Sequence, residues 1–263
     1  MKEFDKICAD IKSLRIQGAT NVAKAGVRAY LLKPSKSSRK KIISLRPTEP
    51  ALFNALNFLE KGYTKKEIFS HFESSQKKIN QFVSGLIRKN STIYTHCHSS
   101  SVIKALIAAK ENGKSFSVVL TETRPLYQGR KTARELANKK IKVSFYSDSA
   151  MHEAVEKADM VLIGADAILR KGIINKIGSE AISEIANVHG IPVYVVSDFW
   201  KFYPKTVDIE QRNFNEVWKE APKSVKVRNP AFEVVPSKYI RRIVSEFGIL
   251  TYSEFIKKAD NLI

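Results

Sequence analysis

Hydrophobic positions in the first third of the chain recur at the three-to-four-residue spacing of an α-helix. The spacing is seen at Phe4, Ile7, Cys8, Ile11 and Leu14, and again in the ranges 22–32, 51–59 and 63–87. Runs that favour a β-strand are scarce before residue 91. The pattern therefore predicts an N-terminal helical domain over residues 1–90.

After residue 90, short runs of β-branched and aromatic residues alternate with helical stretches. Strands are predicted at 93–94, 116–120, 141–146, 160–163 and 191–196, with helices at 102–109, 130–137, 150–157 and 180–188. This alternation is typical of a parallel sheet covered by helices on both faces. We therefore predict an α/β fold whose second part, residues 91–263, is a Rossmann-like domain. It ends with a strand at 232–235 and a helix at 238–247.

Polar and ionisable residues follow the predicted strands. Ligands of parallel sheets bind at the carboxyl ends of the strands. The strand ends are Cys97, the segment 121–125, the segment 147–149, Gly164-Ala165-Asp166, and Ser197-Asp198. Their recurrence predicts a ligand site at one edge of the sheet.

Cys97 lies at the end of the first strand, directly before a helix start at Ser99, Ser100 and Ser101. A cysteine here is either an apolar filler of the core or a thiol acidified by the helix dipole. The three serines suit both helix capping and anion binding. His96 and His98 flank Cys97, and in an extended segment both would point away from its face. We therefore expect no metal site.

Asp166 follows an apolar run, where burial would raise the pKa of its carboxyl and suit it to proton transfer. The alternative is a cap or turn residue. Asn175 and Lys176 follow closely and suit the recognition of a sugar or a phosphate. The segment 17–20 and Arg46 supply further polar positions in the helical part.

The net charge of +19 is concentrated in the first 90 residues. Nucleic acid, a phosphorylated substrate or a generally basic proteome would each explain it. No zinc-finger spacing or RNP-type segment accompanies it, so nucleic-acid binding stays the less favoured explanation. No apolar run reaches the ~18 residues of a membrane span, and the charged N-terminus is unlike a signal peptide. With no such run we expect no membrane partner, and two cysteines without a C-x-x-C pair favour a reduced, cytoplasmic protein.

Seven motifs together resemble one family, over nearly the whole chain. They are the segments 17–20, 46–48, 95–100, 122–129, 164–167, 174–178 and 225–235. The family unites the α, β and δ subunits of initiation factor 2B with isomerases acting on methylthioribose 1-phosphate and ribose 1,5-bisphosphate. Among its members, the chain is most similar to the archaeal ribose-1,5-bisphosphate isomerases of nucleotide (AMP) metabolism.

The resemblance implies an aldose–ketose isomerase that converts ribose 1,5-bisphosphate to ribulose 1,5-bisphosphate without a metal or organic cofactor. It assigns the catalytic thiol to Cys97 and the catalytic acid to Asp166. Substrate contacts are implied for Gln17, Gly18, Ala19, Thr20, Arg46, Ser99, Ser100, Ser101, Asn175, Lys176 and Lys201. It also implies a homo-oligomer, a dimer that assembles further into a hexamer.

Two departures keep a second function open. The enzymes usually have an arginine where this chain has Gln17, and an arginine binds phosphate bidentately whereas a glutamine carries no charge. The segment between Asp166 and Asn175 is one residue shorter than in the enzymes. The alternative is a regulatory subunit that binds a sugar phosphate or nucleotide and a translation factor. Methylthioribose 1-phosphate is the alternative substrate, and the cationic residues favour the bisphosphate over it.

Overall fold

The computed structural model describes residues 2–209 and 212–262. The first part of the described chain is helical, as predicted. Its helices are α1 (Glu3–Lys12), α2 (Ala19–Leu32), α3 (Lys36–Ser44), α4 (Pro50–Glu60) and α5 (Lys65–Leu86). Local signals define several starts: Ser35 caps α3, Pro50 opens α4, and Thr64 with Glu67 forms a capping box before α5.

The second part is built on a seven-stranded sheet. Its strands are β1 (Ser91–Thr95), β2 (Phe116–Thr121), β3 (Lys142–Tyr146), β4 (Met160–Ile163), β7 (Val193–Val196), β9 (Arg242–Ser245) and β10 (Gly248–Leu250). Their order is β10-β9-β7-β4-β1-β2-β3, and all pair in parallel except β10, which is antiparallel to β9. The predicted α/β fold is confirmed.

The helices that connect and cover these strands are α6 (Ser100–Glu111), α7 (Gln128–Asn138), α8 (Met151–Glu156), α9 (Ser179–Val188), α10 (Asn215–Trp218) and α11 (Tyr252–Asp260). Alternate residues of the strands enter two hydrophobic clusters. Ile93 of β1 belongs to the cluster that includes α6 residues, and Tyr94 belongs to the one that includes α1, α2 and α4 residues. The inner strands of the sheet are therefore buried on both faces, which explains their nearly continuous apolar runs.

A smaller antiparallel sheet was not predicted. It consists of β5 (Ala167–Ile168), β6 (Gly172–Lys176) and β8 (Phe232–Pro236), in the order β5-β6-β8. Asn175 and Lys176 thus lie at the end of a strand. Because β6 follows β4 by only a few residues, it places this pair beside Asp166.

The helix predicted at 238–247 is wrong. That range contains a short 3-10 turn (Ser237–Tyr239) and β9, whose Ile243 and Val244 are fully buried. A short, fully buried strand has the same apolar content as a buried helix segment, so periodicity does not separate the two. Pairing with β7 decides in favour of the strand.

The helical part and the sheet share one hydrophobic core. Phe58 of α4 stacks on Trp200, with the ring centroids 4.7 Å apart. The buried Asn54 amide on the same helix donates to the carbonyl oxygens of Trp200 and Phe202, at 2.7 and 2.9 Å. The division of the chain at residue 90 into two domains stays a prediction. No helix among the described residues combines the length and apolar character needed to span a membrane.

Candidate active site

The site lies where the chain reverses its order in the sheet. β1 and β4 are neighbours, with Thr95 opposite Leu162, and the strands that follow each of them extend the sheet in opposite directions. Such a switch point leaves a crevice at the carboxyl ends of the two strands. Cys97 follows β1 and Asp166 follows β4, so both residues lie at this crevice.

A cavity of about 150 Å³ occupies the crevice. All but two of the predicted site residues line it: Gln17, Gly18, Ala19, Arg46, Cys97, Ser99, Ser100, Asp166, Asn175, Lys176 and Lys201. The remaining wall includes Glu49, His96, His98, Gln128, Lys131, Arg212 and Phe232. The helical part and the sheet therefore both contribute to one cavity.

Thr20 and Ser101 are not among the residues that line this cavity. Thr20 lines a separate depression between α2 and α5, together with Phe72 and Gln76. Ser101 is buried in the first turn of α6, where its carbonyl oxygen accepts a hydrogen bond from the Gln76 side chain at 3.1 Å.

The backbone of Cys97 is held in the left-handed conformation, with φ of 62°. Its N–H donates to the Thr123 hydroxyl at 3.1 Å, and its carbonyl oxygen accepts from the Thr132 hydroxyl at 2.7 Å. A positive φ is uncommon for a residue other than glycine, and such strain clusters at functional sites. The predicted extended segment is therefore wrong at this residue, and His96, Cys97 and His98 all line the cavity.

Hydrogen bonds assign the protons of both histidines. His96 Nε2 is 2.8 Å from the Ile177 carbonyl oxygen, which can only accept, so Nε2 carries the proton and the buried Nδ1 presents a lone pair. The Thr132 hydroxyl proton is used on Cys97, so His98 Nδ1 donates to Thr132 at 3.1 Å. Burial lowers the pKa of His96, and burial with the nearby Lys131 lowers the pKa of His98 to about 4. Both rings are neutral at pH 7.

Burial raises the pKa of the Cys97 thiol to about 11, although the Lys176 cation and the backbone N–H of His98 lower it. The Asp166 and Asp148 carboxyls raise it further. Of the two alternatives for Cys97, the thiol acidified by the helix dipole is therefore not the one observed, because desolvation outweighs the position at a helix start. At neutral pH the thiolate is a minor form.

Asp166 is half-buried, and its N–H donates to the Ile174 carbonyl oxygen at 2.8 Å, which ties it to β6. On that strand the buried Asn175 amide donates to the Ser179 hydroxyl at 2.9 Å. Lys176 Nζ lies 4.7 Å from the centre of the Phe232 ring. The raised pKa expected for the Asp166 carboxyl stays a prediction.

The cavity is rich in positive charge. Five cationic side chains among the described residues line it, against the two carboxylates Glu49 and Asp166: they are Arg46, Lys131, Lys176, Lys201 and Arg212. Arg46 forms a buried ion pair with Glu49, and Arg212 pairs with Glu216. An excess of cations in a partly buried site favours a multiply charged anion.

Two helix starts also face the cavity. Gly18, with φ of 85°, precedes α2, and Ser99 precedes α6 without using its side chain as a cap. Free N–H groups at a helix start attract anions. Gly164 leaves room for the Ser99 side chain, because a Cβ at residue 164 would lie 2.6 Å from Ser99 Oγ and 3.0 Å from its Cβ. Both starts and the cations therefore suit a phosphate group.

The relatives of the chain agree with this chemistry. The model of the initiation factor 2 subunit family matches residues 23–252. The chain belongs to that family. It is 35% identical to a ribose 1,5-bisphosphate isomerase of Methanocaldococcus jannaschii, covering 91% of this chain and 89% of that one. It is 33% identical to the isomerase of the same name from Archaeoglobus fulgidus, with coverages of 95% and 90%.

A solved structure extends the comparison to the fold. The chain superposes on the Pyrococcus horikoshii OT3 translation initiation factor eIF-2B with a TM-score of 0.84 at 28% identity, covering 95% of this chain and 98% of that one. The chain is thus similar both to proteins named as enzymes and to a protein named as a translation factor. The curated relatives support an isomerase role for this member.

The residues that position Cys97 were predicted only in part from the sequence. The Asp148 carboxylate accepts from the N–H groups of Thr123 and Arg124, at 2.8 and 2.7 Å, and Thr123 in turn accepts from Cys97. Asp148 and Thr123 belonged to the polar strand ends that the sequence did reveal. Thr132, inside α7, had no such signal, because its role depends on how α7 packs against α6, β2 and β3.

No group of three or more histidine, cysteine or acidic side chains among residues 2–209 and 212–262 is arranged to hold a metal ion. His96 and His98, the residues next to the thiol, use a ring nitrogen each on protein partners.

A buried carboxyl supports the turn that carries Lys201. Glu246 accepts from the Phe199 N–H at 3.1 Å and from the Ser75 hydroxyl at 2.9 Å. Phe199–Lys201 is a 3-10 turn. Burial, with the nearby Asp198 carboxyl, raises the pKa of Glu246 to about 7. The folded protein therefore holds a proton on Glu246 at pH values where the unfolded chain has lost it.

We expect the stability of the protein to depend on this proton. Because the folded pKa is the higher one, the free energy of unfolding should fall as the pH rises from about 4.5 to about 7. At ~1.4 kcal/mol per pKa unit the loss is about 3 kcal/mol at most. Denaturant unfolding of the wild type and Glu246→Gln between pH 4.5 and 8 measures it. A difference between the two proteins that is independent of pH would contradict the assignment.

Proposed function

We propose that the protein isomerises ribose 1,5-bisphosphate to ribulose 1,5-bisphosphate. The observation that carries the proposal is the placement of Cys97 and Asp166 at adjacent strand ends, in one cavity with five cationic side chains. An acid–base pair beside a phosphate-binding wall is the arrangement that an aldose–ketose isomerisation of a phosphorylated sugar requires. The isomerase relatives support the same reaction.

In the proposed reaction Asp166 protonates the ring oxygen while the Cys97 thiolate removes the proton from C2. The electron pair of the C2–H bond forms a C1–C2 double bond as the bond from C1 to the ring oxygen breaks. Cys97 then returns the proton to C1, and Asp166 takes the proton of the C2 hydroxyl as the ketone forms. Both residues end in their starting states, and the sugar is neither oxidised nor reduced overall.

The cavity residues support specific tasks. Arg46, Lys176 and Lys201 supply charge for the phosphate on C1, and the starts of α2 and α6 supply N–H donors. Asn175, beside Asp166, is placed to bind a sugar hydroxyl. The negative charge of the phosphate on C1 in turn balances the positive charge of these side chains when the substrate is bound.

The test is turnover of ribose 1,5-bisphosphate by the purified protein, followed as formation of ribulose 1,5-bisphosphate. We expect saturable turnover at a rate of the order of 1–10³ s⁻¹, as for typical enzymes. Absence of product at saturating substrate, with the protein folded by circular dichroism, would overturn the proposal. We also propose a homo-oligomer, a dimer that assembles into a hexamer, which sedimentation analysis would test.

The alternative function is that of a translation-factor subunit. The observation in its favour is the 28% identity and TM-score of 0.84 with the Pyrococcus horikoshii OT3 translation initiation factor eIF-2B. The exposed, uncharged Gln17 at the cavity also fits a binding role. A pull-down with initiation factor 2 discriminates between the functions: recovery of that factor without isomerase turnover favours the subunit, and turnover without recovery favours the enzyme.

A further inference from the structure

A second, larger cavity of about 810 Å³ adjoins the catalytic one. We call it the basic vestibule, because no carboxylate among the described residues lines it whereas six cations do: Arg15, Lys24, Arg28, Arg130, Lys131 and Arg134. The two cavities share five wall residues, Gln17, Asn21, Leu126, Gln128 and Lys131. A ligand in the catalytic cavity is therefore able to extend into the vestibule.

Half of these cations are already neutralised by carboxylates outside the wall. Arg15 pairs with Asp10, Lys24 with Glu73, and Arg130 with Glu122, at 2.8, 3.0 and 3.0 Å. For Arg28, Lys131 and Arg134, no carboxylate of the described chain lies within ion-pair distance. Three positive charges therefore remain for a ligand.

Lys131 is the one of these three that also lines the catalytic cavity. It lies in the first turn of α7, one residue before Thr132, which binds the Cys97 carbonyl oxygen. Its charge also lowers the pKa of His98, a residue of the cavity wall. Lys131 is thus a cation on the border between the two cavities.

Gln17 lies on the same border but supplies no charge. Its amide Nε2 donates to the Leu14 carbonyl oxygen at 2.7 Å, within its own loop. At this border, the positive charge available to a bound anion therefore comes from Lys131 and not from Gln17.

The catalytic cavity alone is small for a bisphosphate. Its 150 Å³ lies below the ~300–1,000 Å³ of typical ligand pockets. The reacting carbons, C1 and C2, must meet Cys97 and Asp166, which keeps the phosphate on C1 near Lys176 and Lys201. The phosphate on C5, at the other end of the sugar, then has to leave this cavity.

We propose that Lys131 binds the C5 phosphate at the entrance to the basic vestibule and so sets the preference for a sugar bisphosphate over a sugar 1-phosphate. The inference rests on the proposed function for the identity of the sugar. Arg28 and Arg134 supply further positive potential to the same vestibule. A lysine–phosphate contact is charge-assisted, so its loss has a measurable effect on affinity.

The experiment compares wild type, Lys131→Gln and Lys131→Arg in binding two ligands and in turning over two substrates. Dissociation constants are measured by calorimetry for ribulose 1,5-bisphosphate and ribulose 1-phosphate, and kcat/KM for ribose 1,5-bisphosphate and ribose 1-phosphate. We expect Lys131→Gln to weaken binding of the bisphosphate by ~10–100-fold and to leave the 1-phosphate within about threefold. Lys131→Arg should retain the preference. Lys66→Gln is the matched control, because Lys66 is exposed on α5 and lines neither cavity.

Each outcome decides between the inference and the proposed function. The role of Lys131 is overturned if Lys131→Gln keeps the preference for the bisphosphate over the 1-phosphate, or if it binds both ligands equally more weakly. Neither result contradicts the proposed isomerase function. Failure of the wild type to turn over ribose 1,5-bisphosphate, with a bisphosphate preference that Lys131→Gln removes, overturns the isomerase and supports the phosphate site. If Lys66→Gln loses the preference for the bisphosphate to the same extent, the preference depends on the net charge of the protein, and the inference is overturned.

Discussion

Replacement of Cys97 by serine or of Asp166 by asparagine is expected to lower kcat for ribose 1,5-bisphosphate by ~10²–10⁴-fold. The serine hydroxyl is far less acidic than a thiol and does not supply the base. The asparagine amide has the shape of the carboxyl, but its N–H groups are far too weakly acidic to protonate the ring oxygen. Steady-state kinetics with each variant, after a check of folding by circular dichroism, measures the effect.

The chain supplies a matched control for the thiol. Cys8, its second cysteine, is buried in α1 and lines neither cavity. Cys8→Ser should therefore retain kcat within about twofold, although the buried hydroxyl costs some stability. An equal loss in Cys8→Ser and Cys97→Ser, or wild-type activity in Cys97→Ser, would refute the role of Cys97.

The pH dependence adds a second readout for the same residue. The free-enzyme pKa of the thiol, about 11, lies well above neutrality. The proposed reaction also needs Asp166 in its protonated form, so the wild-type profile combines the titrations of both residues. Asp166→Asn has no catalytic acid that titrates, and its residual kcat/KM should rise about tenfold per pH unit from pH 7 to 9 if the thiolate is the active form. The double variant Cys97→Ser/Asp166→Asn should lose this slope. A flat profile of Asp166→Asn over this range would show that Cys97 does not act as the base.

Gly129→Ala is expected to destabilise the fold by about 3 kcal/mol. A Cβ at this residue would lie 1.9 Å from the Thr121 carbonyl oxygen and 2.9 Å from the Glu122 carbonyl carbon. Both are backbone atoms, so neither is able to turn aside as a side chain would. For a chain of this size the melting temperature should fall by roughly 6–12 °C, which differential scanning calorimetry measures.

The same substitution elsewhere should have the opposite sign. Gly85 is exposed in α5, and a Cβ there would have no heavy atom within 4 Å. Gly85→Ala should stabilise the protein by ~0.5 kcal/mol, because alanine has the higher helix propensity. Equal effects of the two substitutions would show that close packing at Gly129 is not the cause.

The position of the site could be predicted from the sequence because it follows from the order of strands and helices along the chain. Alternating strands and helices make a parallel sheet, and the polar strand ends then have to meet at one edge. Cys97 and Asp166 could be placed together on this ground although 69 positions in the sequence separate them. The side-chain periodicity of the helices was equally informative, since it depends only on neighbouring residues.

The local state of Cys97 could not be predicted in the same way. Its left-handed backbone is held by hydrogen bonds to Thr123 and Thr132, which lie 26 and 35 residues along the chain. Its high pKa reflects the depth of the cavity, which no local pattern encodes. The small antiparallel sheet was missed for a related reason: β5 is two residues long, and its pairing with β6 depends on the path of the chain after β4.

Asn54 has a further consequence for how a phosphate would be received. Its amide holds the carbonyl groups on both sides of Lys201, and it stands on the helix that begins just after Arg46 and Glu49. Arg46 and Lys201, which come from distant parts of the chain, are thus held in fixed positions relative to each other by the same helix. An anion that binds both would immobilise few rotatable bonds of the protein, so little of its interaction energy would be consumed in ordering the site.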